Sequence, residues 1–237
     1  MKKRACMSRG QTIAELRWLD TPDFMAVARA WQADASTILL QFVWRGYDLL
    51  CGEVLSRIEV NDAEEDLERG ITQLLEPRIR RAMTGDEPFD IQHGSYEEES
   101  RQPPPAQPPQ YDLAYVWNQN ERLKWPLEAK VLLKDTLVRE YVKAMNERFL
   151  TCMYAPFSSE GAMLAYLFSG SPQKVFSNVS KALLCCLAQH PGFPGRPHKT
   201  SDHVRTVPHA KKYAAAFRCH HMVLQISALA EPNSQLM

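Results

Sequence analysis

The stretch from Tyr111 to Lys134, YDLAYVWNQNERLKWPLEAKVLLK, decides the fold predicted for this chain. Two runs rich in aliphatic and aromatic residues flank the polar segment NQNER, a pattern typical of two strands joined by a turn. The first run carries Asp112 near its start, and the second carries Glu128 and Lys130. We therefore expect two neighbouring strands that carry charged residues on largely apolar surfaces.

Alternation along the second strand separates its two faces. Residues i and i+2 of a strand point to the same side, so Glu128 and Lys130 share one face. The opposite face carries the apolar residues Leu127, Ala129 and Val131. If the two strands pair, Asp112 can lie beside Glu128. Adjacent carboxylates repel unless a cation joins them, and hard oxygen ligands suit Mg²⁺, so the stretch predicts a metal site beside a lysine.

Size and charge narrow the class of protein. The 237 residues are 45% hydrophobic and 24% charged, which is enough apolar material for one domain, or one domain with an appendage. Lys and Arg together number 28, as do Asp and Glu, so the formal charge is zero. A neutral chain is not a highly basic coat protein for nucleic acid, although a local basic patch remains compatible with this total.

Cysteine spacing and the distribution of apolar residues indicate the cellular compartment expected for the protein. The six cysteines form no CxxC pair with zinc-ligand spacing, which indicates free thiols in a reducing cytoplasm. The segment MKKRACMSRG is basic but is not followed by the apolar run of a signal peptide. No stretch is long and apolar enough to span a membrane. We expect a cytoplasmic protein that does not insert into membranes.

Residues 1–60 are predicted to form a mainly helical N-terminal extension. Phe24, Val27, Ala28 and Trp31 recur at helical spacing. The apolar segment ASTILLQFVWRGYDLLCGEVLSRIEV that follows fits either one buried helix or two buried strands around Gly46. Its composition predicts packing against the rest of the chain or against a partner subunit.

A helix is predicted over residues 62–83, with Asn61 and Asp62 as its cap. Pro77 inside the pattern is expected to kink or divide it. The buried stripe comprises Leu67, Ile71, Leu74, Leu75 and Ile79. The acids of the first turns are explained mostly by the helix dipole. Glu68, on the flank of the stripe, is the one we select as a third metal-directed carboxylate.

The remaining core, within residues 61–230, alternates strand and helix patterns. Strands are predicted at Phe89–His93, 161–170 and 217–227, and helices at 135–154 and 171–190, with a proline-rich loop at 97–110, a polar segment at 196–213 and a tail at 231–237. Pro126, two residues before Glu128, is expected to mark an edge strand, a strand start or a bulge.

Histidines give a weaker signal for zinc. His220 and His221 are adjacent in a predicted strand and therefore point to opposite faces, which makes them a poor chelating pair. His198, His203 and His209 form a second group in the polar segment that could suggest zinc. His203, near Arg205, could contact phosphate, although a solvated loop histidine is the simpler interpretation of it.

The order of these elements resembles that of the PD-(D/E)xK restriction-endonuclease-like nucleases. That core consists of a helix, a strand pair carrying Asp and then Glu-x-Lys, a helix and a strand, and residues 62–227 follow this order. Asp112 matches the aspartate, and Glu128-Ala129-Lys130 matches the second half of the motif. Tyr111 stands where the family usually has proline.

A narrower likeness is to nuclease-like proteins found among bacterial anti-phage defence systems. It rests on the segments PFDIQHGSYEEE, YDLAYVW, RLKWPLEAKVL, YVKAMNERFLTCMYA, GAMLAYLFSG and FRCHHMVLQI. The resemblance implies an α/β fold with a mixed central sheet flanked by helices. It also implies hydrolysis of DNA or RNA phosphodiesters.

The same resemblance assigns roles to residues. Asp112 and Glu128 would hold Mg²⁺ or Mn²⁺, and Lys130 would position or deprotonate a water. The acid on the preceding helix, Glu68, would complete the catalytic set. Arg148, Lys143 and Tyr141 would face the nucleic-acid backbone, although core packing explains Tyr141 more simply.

Two function classes follow from the sequence. The first is a magnesium-dependent nuclease acting in anti-phage defence, with a protein partner or a second copy of the chain. The second is a catalytically inactive nuclease-like subunit that serves assembly or nucleic-acid binding.

Overall fold

The chain folds around a mixed seven-stranded sheet with helices on both faces, which confirms the predicted α/β class. The computed structural model describes residues 36–53, 63–100 and 107–226. The helices are α1 Ser36–Glu53, α2 Glu64–Ala82, α3 Arg139–Ala144, which continues as a π-helix at Met145–Phe149, and α4 Pro172–Leu183. The strands are β1 Phe89–His93, β2 Leu113–Trp117, β3 Lys124–Leu132, β4 Glu160–Leu167, β5 Ala188–Gln189, β6 His198–Val204 and β7 Ala216–Gln225.

The strand order is β1-β2-β3-β4-β7-β6-β5. Strands β1, β2 and β3 form an antiparallel meander, and β3, β4 and β7 run parallel to one another. Strands β6 and β5 close the other side in antiparallel pairing. Strand β3, which carries the Glu-x-Lys triplet, therefore lies in the interior of the sheet.

Alternation along the strands builds two apolar layers, one on each face. Leu127, Ala129 and Val131 pack beneath α1 and α2, as their spacing in the sequence predicts. On the other face, Met163 and Ala165 of β4 pack beneath α3 and α4. Glu128 and Lys130 point to this second face, because they alternate with the first set.

Helix α1 resolves the ambiguity around Gly46 in favour of one helix, at least over the described residues 36–53. A Cβ atom on Gly46 would lie 2.6 Å from Ile79 Cγ1 and 2.8 Å from the Ile79 backbone nitrogen. Gly46 thus lets α1 and α2 approach each other closely. The stripe predicted at Phe24–Trp31 and the tail at 231–237 lie outside the described residues.

Helix α2 is continuous through Pro77, so the predicted division of the helix is wrong. A proline inside a helix costs about 3 kcal/mol. Leu75 and Ile79 on either side are fully buried, and each such side chain contributes about 1.5–3 kcal/mol, which offsets that cost. The N-cap is Ala63 without a side-chain hydrogen bond, while the predicted cap at Asn61 and Asp62 lies outside the described residues.

Pro126 lies within the interior strand β3 and not at a sheet edge. It pairs with Ala114 of β2, and the pairing of β3 with β4 begins one residue later, at Leu127. Gly161 of β4 makes room for the proline ring, since a Cβ there would lie 2.9 Å from Pro126 Cγ. An interior strand accommodates this proline because it precedes the first rung of the β3–β4 ladder.

Three segments differ from their predicted structure. The helix predicted over 171–190 ends at Leu183, and β5 lies in its expected last turn. The helix expected over 135–154 shortens to α3 plus the π-helix at Met145–Phe149. The polar segment 196–213 contributes β6, which pairs with β7 over its whole length. Among the described residues, no helix has the length and hydropathy needed to cross a membrane. The five cysteines in these ranges are free thiols.

Candidate active site

The register of β2 and β3 brings Asp112 opposite Glu128. Leu113 pairs with Leu127 in an antiparallel ladder, so the next rung joins Asp112 and Glu128. The Asp112 side chain is fixed there because its Oδ2 accepts a hydrogen bond of 2.7 Å from the Ala129 backbone N–H. The two carboxylates predicted to be neighbours therefore share one corner of the sheet.

Lys130 gathers the acids around its ammonium group. Its Nζ lies 2.9 Å from Glu128 Oε1 and 4.0 Å from Asp112 Oδ2. It also donates to Glu68 Oε1 at 2.7 Å and to the Ala129 carbonyl at 2.6 Å. One lysine thus contacts all three carboxylates that the sequence analysis selected.

Glu68 reaches the cluster from α2, which packs against β1 and β3. The Thr72 hydroxyl donates to the Glu68 backbone carbonyl at 2.7 Å and lies 3.0 Å from the Tyr166 hydroxyl of β4. Thr72 and Tyr166 are both buried, so this contact fixes the turn of α2 that carries Glu68.

Arg148 lies on the π-helix and forms an ion pair with Glu128 Oε1. It also donates to the Tyr154 hydroxyl at 3.0 Å, and its guanidinium lies 5.4 Å from the centre of that ring. The Tyr154 hydroxyl in turn donates to the Gln110 carbonyl, two residues before Asp112. Arg148, predicted to face nucleic acid, therefore faces the acids, and Tyr154 joins the site without having been assigned a role from the sequence.

The other two residues predicted to contact nucleic acid lie elsewhere. Tyr141 is 1% exposed, and its hydroxyl lies 2.9 Å from His221 Nδ1, so its side chain belongs to the core in this structure. Lys143 is on the exposed side of α3, where its Nζ lies 3.7 Å from Glu140. Only Arg148 of this group is part of the cluster.

Burial and mutual repulsion shift the protonation of the acids. Burial, followed by the charge of Glu128, raises the pKa of Asp112 from its ordinary 3.8 to about 8, and the ammonium of Lys130 counteracts this only in part. Burial also raises the pKa of Glu68. For Lys130, burial alone would lower the pKa, but the neighbouring carboxylates outweigh it and raise the pKa above 10.5.

The excess of negative charge in the cluster would favour binding of a cation. Three carboxylates face two cationic side chains, so the fully ionised cluster carries one excess negative charge. Glu128 Oε2 is buried and has no hydrogen-bond partner among the described residues. A buried carboxylate oxygen of this kind costs free energy unless it is paired. The donor set therefore fits a hard divalent cation such as Mg²⁺.

The cluster opens into a groove of about 1090 Å³ between α2, β3 and the segment around Tyr154. Its lining includes Glu68, Asp112, Lys130, Arg148 and Tyr154, and the wider wall adds Glu64, Glu65, Arg69, Thr72, His93 and Glu140. The groove is large enough for a segment of a polymeric substrate to reach the acids.

The histidines that the sequence singles out as possible zinc ligands lie away from this groove. His220 and His221 do point to opposite faces, as predicted: His220 Nε2 lies 3.2 Å from Glu160 Oε2, and His221 Nε2 lies 2.7 Å from Ser201 Oγ. His203 is also bound to Ser201, at 2.6 Å, and His209 is exposed.

Comparison of the chain with protein-family models, with curated proteins and with solved structures gives no match.

Proposed function

We propose that this protein is a metal-dependent nuclease that hydrolyses phosphodiester bonds of DNA or RNA with Mg²⁺ or Mn²⁺. One observation carries the proposal: Asp112 and Lys130 line a groove, Glu128 is buried directly beside them, and Glu128 Oε2 has no hydrogen-bond partner among the described residues. The resemblance to nucleases of bacterial anti-phage defence supports the same activity and suggests that setting.

Asp112 and Glu128 are the residues that would hold the cation. Asp112 Oδ2 is already oriented by the Ala129 N–H, and Glu128 is held by two cationic side chains. The bound metal would polarise a phosphate oxygen and acidify a water. Glu68, 2.7 Å from Lys130, would set the position of that lysine without needing to touch the metal.

Lys130 is suited to stabilise charge and not to act as a base in this arrangement. Its pKa is raised by the acids around it, so the side chain remains an ammonium at neutral pH. An ammonium 2.9 Å from Glu128 can orient a water or a phosphate oxygen and offset the charge that develops in the transition state.

Arg148 would contribute a second positive charge beside Glu128. Its guanidinium is about one-third exposed, with the side chain at 36%, so part of it can reach a phosphate in the groove. Guanidinium groups bind phosphate through paired N–H donors. Arg148 thus combines an ion pair to the site with the substrate contact that the sequence analysis expected of it.

The second candidate is an inactive nuclease-like subunit, and one observation favours it. Lys130 and Arg148 both contact Glu128 Oε1, so the acids are partly neutralised by side chains of the chain itself. Such a network can hold a fold together without any cation. The two candidates differ in whether a divalent ion changes the behaviour of the protein.

Cleavage assays with a matched lysine pair separate these candidates. The wild-type protein, Lys130→Met and the control Lys143→Met, at an exposed lysine outside the cluster, are incubated with plasmid, single-stranded DNA and RNA in Mg²⁺ or Mn²⁺. We expect cleavage by the wild type and by Lys143→Met, and a loss of about 10²–10⁴-fold in Lys130→Met. Equal rates for the two variants, or no cleavage of any substrate, would contradict the nuclease proposal.

A further inference from the structure

Three histidines meet on the face of the sheet opposite to Glu128 and Lys130. His190 follows β5, His198 begins β6, and His220 lies in β7. One ring nitrogen from each lies within 4.8 Å of the other two, and all three side chains are buried. In the described part of the chain, this is the one group of three potential metal ligands that meets this distance.

One pair of these nitrogens has the spacing of tetrahedral zinc coordination. His198 Nε2 and His220 Nδ1 are 3.3 Å apart. Two nitrogens that bind one tetrahedral zinc at about 2.0–2.1 Å from the metal are themselves about 3.3–3.4 Å apart. The rings of His190 and His198 stack with their centres 4.7 Å apart, and the His190 and His220 ring centres are 5.3 Å apart.

His220 also has the outer contact that zinc-binding histidines use. Its second nitrogen, Nε2, lies 3.2 Å from Glu160 Oε2. A carboxylate that accepts the N–H of a histidine fixes the tautomer and leaves the other nitrogen free to bind metal. Glu160 therefore directs Nδ1 of His220 towards the other two rings.

The Nδ1 atom of each of the other two rings accepts a hydrogen bond, as only a neutral imidazole can, and the neutral form is the one that binds metal. In the present arrangement, Trp44 Nε1 donates to His198 Nδ1 at 3.3 Å, and the Gly192 N–H donates to His190 Nδ1 at 3.1 Å.

These two donors face the nitrogens that would not touch the metal. When Nε2 of a histidine binds a cation, the ring proton moves to Nδ1, so the contacts from Trp44 and Gly192 must open. Two neutral hydrogen bonds are weak compared with a set of zinc–nitrogen bonds, so zinc binding can break them. Because Trp44 loses its hydrogen bond to His198 when zinc binds, its fluorescence should report whether the site is occupied.

We propose that His190, His198 and His220 form a zinc site, with Glu160 orienting His220 and a water completing the coordination. Soft-to-borderline nitrogen ligands select Zn²⁺ over Mg²⁺, so this site is chemically distinct from the carboxylate cluster. It goes beyond the proposed nuclease function and does not depend on it.

The position of the site assigns it a structural role. The loop between His190 and His198 contains three prolines and two glycines and is attached to α1 by the ion pair of Arg196 with Asp48, at 2.6 Å. Metal bonds from two ends of this loop to β7 would fasten the β5–β6 edge of the sheet to its centre. Zinc would therefore stabilise the folded chain more than it would alter the groove.

Zinc titration of the chelator-treated, full-length chain tests the proposal. We expect one Zn²⁺ per chain by calorimetry and metal analysis, a rise in Tm, and a change in tryptophan fluorescence that disappears in Trp44→Phe. We expect the zinc affinity of His198→Gln and His190→Gln to fall by at least about 100-fold, because each variant loses a ligand. The zinc affinity of Glu160→Gln should fall by about 10–100-fold, which is typical when a residue that orients a ligand is lost. His209→Gln, at an exposed histidine outside the trio, should bind like the wild type.

Two further results decide the outcome if a histidine variant folds poorly. Asp112→Asn must retain the zinc, since its loss would assign the ion to the carboxylate cluster and overturn the proposal. Absence of zinc binding by the wild type, or equal affinity in His190→Gln and His209→Gln, would also overturn it. None of these readouts uses nuclease activity, so failure of one proposal leaves the other intact.

Discussion

Asp112 is the residue whose protonation connects the site to solution conditions. Its carboxylate is held in place by the Ala129 N–H and lies between Glu128 and Glu68, with Lys130 at 4.0 Å and Arg148 beyond Glu128. Its pKa of about 8 in the folded protein compares with 3.8 in an unfolded chain. Between these values the folded state holds a proton that the unfolded state releases, so stability falls as pH rises.

Asp112→Asn should remove this pH dependence. The amide keeps an oxygen that can accept from the Ala129 N–H but never ionises. In the absence of divalent ions at pH 8, we expect the variant to be more stable than the wild type by at least 1 kcal/mol, or about 2–4 °C in Tm. At pH 5 the advantage of the variant should be smaller, because it disappears only below the unfolded pKa of 3.8.

Thermal unfolding from pH 5 to pH 9 measures this difference. Burial also raises the pKa of Glu68, so Glu68 makes the stability of both proteins fall as pH rises. This contribution cancels when the two proteins are compared. Parallel curves for wild type and Asp112→Asn would contradict the raised pKa of Asp112.

The sequence predicted part of this cluster and missed part of it. Asp112, Glu128 and Lys130 could be placed together because strand alternation and a short turn fix the register. Tyr154 could not be placed beside them, because it lies in a loop and no local sequence pattern predicts the conformation of that loop. The histidine trio was missed because spacings of 8 and 22 residues form no recognised zinc motif.

At the scale of elements, the π-helix sets the direction of Arg148. A helix of 3.6-residue period was predicted through 135–154, but the wider turn at Met145–Phe149 shifts the residues that follow it. Arg148 consequently meets Glu128 and Tyr154, where the sequence analysis had assigned it to the substrate alone. π-helical turns occur frequently at functional sites, which agrees with this arrangement.

Tyr154→Phe tests how this element supports the site. The change removes the hydroxyl that accepts from Arg148 and donates to the Gln110 carbonyl. We expect a loss of about 1 kcal/mol in unfolding free energy, because both partners lose a partly buried hydrogen bond. If the nuclease proposal holds, the cleavage rate should also fall. Tyr96→Phe, at a tyrosine that is 44% exposed, is the control and should change neither value.

The α1–α2 contact gives a second prediction at this scale. Gly46→Ala places a methyl group within 3 Å of the Ile79 backbone, so the helices must separate. We expect a destabilisation of about 1–3 kcal/mol. Gly52→Ala in the same helix meets nothing within 4 Å and should instead stabilise by up to about 1 kcal/mol, since alanine favours helix. Equal Tm values for the two variants would show that α1 does not pack as described.

Other elements show which signals a sequence carries. Strand β1 was predicted with its observed bounds, because alternation and flanking turn residues coincide there. Strand β6 was missed because its residues are mostly polar, and its pairing with β7 decides its structure. The interior position of β3 was obscured by Pro126, whose tolerance depends on where the neighbouring ladder begins.

At the scale of the whole molecule, the two faces of the sheet carry different chemistry. Carboxylates, a lysine and two arginines line the groove on one side, and three imidazoles meet on the other. The net charge of the chain does not reveal this difference between the two faces, because the formal charges sum to zero. The groove itself is lined by five acids and three Lys or Arg residues, so it is locally negative.

This excess of acid predicts that nucleic acid binds weakly without divalent ions. A phosphate backbone is repelled by the groove until a cation neutralises the carboxylates. With the Lys130→Met variant, which prevents cleavage, we expect fluorescence anisotropy to show tighter binding of labelled single-stranded DNA or RNA in Mg²⁺ than in chelator. Glu65→Gln, on the wall of the groove, should reduce that difference. Binding that is equally tight in chelator would contradict a role for the acids in substrate entry.

The most direct test of the central claim is metal-dependent cleavage by the wild type and by Glu128→Gln. Glutamine preserves the size of Glu128 but removes its charge, so the fold should persist while the cation site is lost. The account predicts cleavage by the wild type that requires Mg²⁺ or Mn²⁺ and stops in chelator, with a loss of at least about 100-fold in Glu128→Gln. Cleavage that survives in the variant, or that is indifferent to chelator, would contradict it.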